Sequence, residues 1–323
     1  MTSVKDRVWL ALSGRPGEYQ SGEELARNMQ VSRAAVWKAV RELIREGNAI
    51  QAVSRQGYRL VKPVNQLRSA EIQALLKAQG EEDIAVCCYP TIDSTNTEAR
   101  RQAQTFSTPA VFAAEEQTAG RGRQGHSFYS PQGSGLYMTV LTPLSLPLKD
   151  AALMTQAMAV AALRAVKEAG GPELSVKWVN DLFYQGKKTA GILTEAISDL
   201  ETGNAAVLIC GIGLNLTTRT FPGDIAQTAG SLGGLDKNLL CALITARFLS
   251  FARQLPDPSP WITEYRAHSM VLGKGVTFTQ NGVPCRAVAE NIDDRGGLIV
   301  RLKDGSRRTL SSGEISIVPD SLI

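Results

Sequence analysis

The chain has 323 residues, more than one hydrophobic core usually holds, and its 43% hydrophobic and 20% charged residues exclude a disordered chain and favour two or three folded domains. Its longest apolar run, 151–166, is broken by Thr155, Gln156 and Arg164, so no membrane span is predicted; with no apolar signal core near the start, a cytoplasmic location is expected. The cysteines (87, 88, 210, 241 and 285) are scattered without zinc spacing, and the only histidines, His126 and His268, rule out a histidine-rich metal site and lack a nucleophile motif to serve.

Charge is unevenly distributed. Residues 1–63 carry eleven basic side chains against six acidic ones, so the net +4 of the chain comes from this segment. A basic module on a near-neutral body suggests a polyanionic partner. Two helices are predicted here, over 22–30 and 33–46, the second opened by Ser32 as N-cap and stopped by Gly47. Val36, Val40, Leu43 and Ile44 form its apolar stripe, which leaves Arg33, Trp37, Lys38 and Arg41 largely elsewhere on its surface. That division suits a recognition helix in a major groove. Residues 49–60 read as two short strands about a turn near 54–57, the wing of a winged helix, with Arg55 at its tip. A helical protein-interaction module with an added hairpin is the alternative. Residues 61–66 read as a linker.

From 67 to 269 strand-like and helical segments alternate. Strands are predicted at 85–89, 110–114, 135–141, 174–178 and 205–212, and helices at 96–105, 151–169 and 236–255, giving an α/β domain. Within it, 117–131 contains Gly120, Gly122 and Gly125 in the G-x-G-x-x-G spacing of a dinucleotide-binding turn. That turn needs a helix directly behind it, and the following His-Ser-Phe-Tyr-Ser-Pro cannot start one. The composition suits a ligand-wrapping loop instead: glycines permit close backbone approach, Arg121 and Arg123 offer charge to a carboxylate or phosphate, and Phe128 and Tyr129 can cover it. A disordered basic surface loop is the plainer reading.

Lys177-Trp-Val-Asn-Asp181 is predicted to end a strand, followed by a hairpin over 182–195 with its turn at 185–187. Asn180 and Asp181 can serve magnesium, ribose or phosphate, or simply form a turn. Lys188, beside the small Thr189-Ala190-Gly191, can reach into a pocket or remain a solvated lysine. Residues 271–317 read as short strands with turns at Gln280-Asn-Gly282, Asp293–Gly297 and Lys303-Asp-Gly305, fitting a small SH3-like barrel.

Together these segments resemble biotin protein ligases of the bifunctional, operon-repressing kind. The resemblance rests on Asp93-Ser-Thr-Asn96, Gln117 with Gly120-Arg-Gly-Arg-Gln-Gly125, Lys177-Trp-Val-Asn-Asp181, Lys188-Thr-Ala-Gly-Ile-Leu193 and Gly211-Ile-Gly-Leu-Asn215, in that order. The Ser-Arg-Ala-Ala helix start and Ser-Gly-Glu-Ile-Ser at 312–316 extend it over nearly the whole chain. It implies a multidomain α+β chain: a winged helix-turn-helix over 1–63, a class II synthetase-like ligase domain with a mixed sheet over 67–269, and an SH3-like domain over 270–323.

It also implies roles. Ser94, Thr95, Asn96 and Gln117 would line the biotin site at its ureido end, with Gly191, Gly211 and Gly213 at the pocket and its floor. Gly120 to Gly122, with Arg121 and Arg123, would wrap the carboxylate and phosphates, and Lys188 would hold the reacting oxygens. Arg123, Phe128, Lys177, Asn180, Asp181 and Asn215 would serve ATP, Asp181 also Mg2+. Ser32, Arg33, Trp37, Lys38, Arg41 and Arg55 would meet operator DNA. The acceptor would be a lysine of a biotin carboxyl carrier protein, and a homodimer formed by the adenylate-bound chain would present two winged helices to two half-sites. Glu314 reads as a nucleotide contact or a plain surface residue. Two departures stand out: Val179 replaces a common proline, which would relax the strand end, and Phe128 replaces a tryptophan of some relatives. The rivals are a lipoate or octanoate ligase and a regulator that only senses a small acid.

Overall fold

The computed structural model describes residues 3–318 apart from 148, 149, 200, 202 and 281. The N-terminal helices begin where a hydroxyl can take up a free amide. Helix α1 (Val4–Ser13) has a reciprocal cap between Ser3 and Asp6; α2 (Gly22–Met29) starts at Ser21, and α3 (Arg33–Arg45) at Ser32, whose Oγ accepts from the Ala35 amide. Helix α3 buries Val36, Ala39, Val40 and Leu43 in a core shared with Val8, Leu12 and Leu25. Ile44, expected in that stripe, is 40% exposed. Each four-residue step overshoots a full turn by about 40°, so two steps from Val36 carry Ile44 to the rim while Ala39 takes its place.

The wing is the hairpin β1 (Ala49–Val53) and β2 (Gly57–Lys62), with Arg55 at the tip in the left-handed region. Gly57 is required where this hairpin meets the body, because a Cβ there would lie 2.1 Å from the Gln20 carbonyl. The expected linker is pinned rather than free. Asn65 donates to the Leu235 carbonyl and accepts from the Lys237 amide, and Asn238 accepts from the Arg68 amide. Arg68, at the start of α4 (Ser69–Ala78), stacks over Trp9 and reaches Glu46 at 2.9 Å, while the Trp9 indole donates to Glu71. The winged-helix module is therefore fastened to the central domain through charge and ring contacts.

The central sheet has seven strands: β3 (Ala85–Tyr89), β4 (Ala110–Ala114), β5 (Gly135–Pro147), β6 (Ser175–Lys177), β7 (Asp181–Tyr184), β8 (Lys187–Ser198) and β9 (Asn204–Asn215), in the order β3-β4-β5-β9-β8-β7-β6. Only β3 and β4 run parallel. One face is covered by α6 (Ala151–Glu168), α7 (Lys237–Ala252) and α8 (Ser259–Ala267), which pack on Val111, Met138, Val140, Cys210, Ile212 and Leu214. The opposite face carries α5 (Thr95–Arg101) over Ala110, Phe112, Leu141 and Ile209. Strand alternation sends Tyr137, Thr139, Gly191, Leu193, Gly211 and Gly213 to this second face. Register aligns Gly191, Gly213 and Tyr137 in one row, and Leu193, Gly211 and Thr139 in the next. Three glycines in adjacent positions leave a depression beside α5.

Lys237 and Glu115 form a buried ion pair at 2.6 Å. Lys237 also donates to the Gly133 carbonyl, and Glu115 accepts from the Leu67 amide, so the pair joins α7, the inter-domain segment and the chain behind the glycine-arginine loop. The C-terminal strands β10 (Gly275–Gln280), β11 (Val283–Ile292), β12 (Leu298–Leu302), β13 (Arg307–Leu310) and β14 (Ile315–Val318) form an antiparallel sheet in the order β13-β12-β11-β10-β14. The expected closed barrel is not formed among the described residues, since the four-residue edge strands β13 and β14 pair only with β12 and β10. Asn281, placed in a predicted turn, lies outside the described residues.

Candidate active site

The depression is walled by the start of α5. Ser94 occupies its N-cap, but its hydroxyl does not cap the helix and the side chain lies buried at the inner cavity. Thr95 donates to Gln117 Oε1 from its amide (2.9 Å) and its hydroxyl (3.1 Å), and Gln117 Nε2 donates to Ser130 Oγ at 2.9 Å. Asn96 Oδ1 lies against Gly211, where a Cβ would be only 1.9 Å from it. Four of the residues singled out at the ureido end thus meet the glycine floor in one cavity.

The glycine-arginine loop closes back on itself. The Phe128 amide donates to the Gly120 carbonyl and the Gly122 amide to the His126 carbonyl, so Arg121 stands opposite Ser127. The turn is a single 3-10 unit, Arg123–Gly125, with Gln124 and Gly125 at positive φ. No helix follows, which removes the dinucleotide-turn reading. Gly120 lines neither cavity but cannot be replaced cheaply: a Cβ would sit 2.4 Å from the Phe128 carbonyl. The Phe128 ring stands over Gly213 and Gly191 and meets Tyr137 edge-on. With the ring there, the inner cavity keeps about 20 Å³, room for about one water molecule.

An outer cavity of about 290 Å³ adjoins it, lined by Arg121, Gly122, Arg123, Lys177, Asn180, Asp181 and Lys188 from the central domain and by Gly313 to Ser316 from the C-terminal sheet. Lys188 Nζ lies 2.8 Å from Asp181 Oδ1. Arg123 donates to the Gly313 carbonyl at 3.1 Å and to Asn180 Oδ1 at 3.3 Å, tying the loop to both domains. Glu314 lines this cavity, with His126 3.9 Å away. Asn215 is elsewhere: it pairs with Gly135 at the end of β9, lines neither cavity, and its buried Oδ1 has no hydrogen-bond partner among the described residues. Val179 does not leave the strand end loose, because its carbonyl accepts from the Tyr265 hydroxyl and the neighbouring Trp178 indole donates to the Gly296 carbonyl.

Sequence reasoning missed Glu195 and Thr139. Glu195, on β8, accepts from Asn96, Arg100 and Arg121. Burial raises its pKa, but the Asn96 hydrogen bond and the two arginine charges prevail, leaving the carboxyl below its usual range. Its alternation with Gly191 and Leu193 was the available signal. No cysteine supplies a thiolate here: burial pushes Cys88 to about 11 and Cys210 to about 12. In the winged helix, Ser32, Arg33, Trp37, Lys38 and Arg41 are exposed together on α3, with Arg41 over the Trp37 ring, and Arg55 is exposed on the wing.

Comparison with known proteins agrees with this layout. Residues 88–215 match the Biotin/lipoate A/B protein ligase family, residues 271–318 the Biotin protein ligase C terminal domain, and residues 12–59 an HTH domain. The fold and site thus define a ligase of the biotin/lipoate class joined to a helix-turn-helix. The chain is 31% identical to the Bifunctional ligase/repressor BirA of Bacillus subtilis (strain 168), over 96% of this chain and 98% of that protein. It is 29% identical to the protein of the same name from Escherichia coli (strain K12), over 93% and 94%. The chain belongs to the family of bifunctional biotin protein ligases and repressors. A biotin protein ligase from Aquifex aeolicus, solved in complex with biotin and ATP, has the same fold with a TM-score of 0.58 at 24% identity, covering 72% of this chain and 98% of that one.

Proposed function

We infer that this chain activates biotin with ATP and transfers it to a lysine of a biotin carboxyl carrier protein, and that its adenylate-bound form represses transcription by binding operator DNA. The observation that carries the ligase reading is the junction of two cavities: a polar, glycine-floored one and an outer one rimmed by Arg121, Arg123 and Lys188. The acceptors and donors of Thr95, Asn96 and Gln117 suit a cyclic urea better than the apolar dithiolane of lipoate.

In the first step a biotin carboxylate oxygen attacks the α-phosphorus of ATP, and the bond to pyrophosphate breaks. In the second the acceptor lysine amine attacks the acyl carbon, and AMP leaves with the anhydride oxygen. Both steps gather negative charge on oxygen, and fixed cations at the junction stabilise it. Lys188, Arg121 and Arg123 are the residues for this work; Lys177, Asn180 and Phe128 flank the nucleotide, and Asn215 would act only from the strand behind. The ring of Phe128 withdraws from the glycine floor as biotin enters and then packs on the adenylate. Asp181 and Glu314 are the two carboxylates lining the outer cavity, too few to cage an ion by themselves, which fits Mg2+ held by Asp181 and mainly by substrate phosphates. Bound there, the ion would neutralise phosphate charge.

The three matched regions support reading 1–63, 67–269 and 270–323 as separate functional units, the last an SH3-like module by strand number and order. One recognition helix per chain supports a homodimer on paired half-sites, acting in the cytoplasm. Incubation with ATP, Mg2+, a carrier domain and either biotin or lipoate, read by intact mass, tests the ligase reading.

A further inference from the structure

We propose that Glu195 is a positioning residue for substrate specificity: its carboxylate fixes which way the hydrogen-bond chain beneath the inner cavity points. This rests on the ligase reading above. The chain runs Glu195–Asn96–Thr139–Thr95–Gln117–Ser130–Phe128. Asn96 Nδ2 donates to Glu195 Oε2 at 2.9 Å and to the Leu193 carbonyl at 3.2 Å. The single Thr139 hydroxyl proton is shared between two acceptors, Asn96 Oδ1 at 2.7 Å and Thr95 Oγ1 at 2.8 Å. Thr95 donates to Gln117 Oε1, Gln117 Nε2 to Ser130 Oγ, and Ser130 to the Phe128 carbonyl at 3.0 Å.

Both ends of this chain are groups that only accept. An ionised carboxylate has no proton to give, and neither has a backbone carbonyl. The donors of Asn96, Thr95, Gln117 and Ser130 must therefore point outward to the ends, and the single Thr139 proton bridges the two halves from the middle. The consequence is that Asn96 turns its nitrogen to Glu195 and its oxygen to the floor over Gly211. A cyclic urea offers N–H donors at its edge, so an oxygen there is a partner and a nitrogen there is a repulsion. Arg100 and Arg121 on the same carboxylate, with Asn96, keep it ionised. A neutral amide at 195 would accept or donate equally well, and the direction of the chain would be lost.

The test is steady-state pyrophosphate release with biotin and ATP varied separately. Glu195→Gln, nearly isosteric, is expected to raise KM for biotin about tenfold or more while KM for ATP stays within about twofold. Thr139→Val, which interrupts the chain one link further on, gives the same signature. The double variant is no worse than the poorer single one, since both break a single unit. Arg100→Gln, which removes one of the two cations on the carboxylate and leaves Arg121 and Asn96 in place, raises KM for biotin less than Glu195→Gln does. An unchanged KM for biotin in Glu195→Gln, multiplying effects in the double variant, or equal rises in both KM values would overturn the assignment. A parent protein that releases no pyrophosphate with biotin would instead strike at the ligase reading.

Discussion

Lys188 Nζ lies 2.8 Å from Asp181 Oδ1 across the β7–β8 hairpin, each the nearest opposite charge of the other at the outer cavity. The Lys188 backbone is stitched to residues 228–230 by amide-carbonyl bonds on both sides, so its side chain alone is free to exchange partners. A lysine held at a cavity by its own carboxylate can pass to phosphate or carboxylate oxygens when they arrive.

Lys188→Ala is expected to slow adenylation by roughly 10²–10³, the usual cost of removing one preorganised oxyanion donor. The side chain is partly exposed and ends no buried network, so the variant should melt near the parent temperature. Near-normal pyrophosphate release from the folded variant would remove Lys188 from its role.

The glycine floor makes a second prediction. In Gly211→Ala the new methyl would stand 1.9 Å from Asn96 Oδ1, and in Gly213→Ala 2.4 Å from the Phe128 ring. The first displaces a wall built of hydrogen bonds; the second displaces a side chain already expected to move. Calorimetric titration should show the larger loss of biotin affinity for Gly211→Ala. A reversed order would mean that Phe128 is fixed.

Much of this site is legible in the amino-acid sequence. Ser32 and Gly47 bracket α3, the turn residues mark the wing and the β7–β8 hairpin, and the lack of a helix-forming run after Gly125 separates the loop from a dinucleotide turn. Relationships across the sheet are not legible in this way. Glu195 looks like any polar strand residue until β8 aligns it with the Asn96 side of the floor. The outer cavity borrows Gly313 to Ser316 from a distant segment, and Asn215, adjacent to the glycines in sequence, falls outside both cavities. Helix α1 escapes the sequence reading although Ser3 and Asp6 carry the spacing of a capping box. A closed barrel does not follow from the number of C-terminal strands, because strand number says nothing about whether edge strands meet.

The buried pair Lys237–Glu115 should be costly to break on one side only. Lys237→Met leaves a buried carboxylate without its cation and is expected to lower unfolding free energy by about 3–5 kcal/mol in denaturant titration. Adding Glu115→Gln should recover part of that loss. Equal stability of the single variant and the parent would contradict a buried charge interaction.

The fastening of the winged helix is predicted to depend on acid. Burial raises Glu46, but its hydrogen bonds to Lys5 and Arg68 and their charges bring it below the ordinary carboxylate range. A depressed carboxylate contributes stability that is present above its unfolded pKa, near 4.5, and lost as pH falls through the lower folded value. The stability advantage of the parent over Glu46→Gln should therefore be full near neutrality and shrink below about pH 4.5. A gap that widens on acidification would show the opposite linkage.

On the recognition helix, Arg33→Ala and Lys38→Ala should weaken operator binding and reduce its salt dependence by about one ion each, with adenylation unchanged. Loss of adenylation instead would tie these side chains to the ligase domain.

The two adjoining cavities would activate biotin and pass it to a protein lysine. Intact-mass analysis of a biotin carboxyl carrier domain, after incubation with this chain, biotin, ATP and Mg2+, measures that transfer directly. One biotinyl addition on the carrier is expected, and none with lipoate in its place. An unmodified carrier with biotin, or equal modification with lipoate, would contradict it.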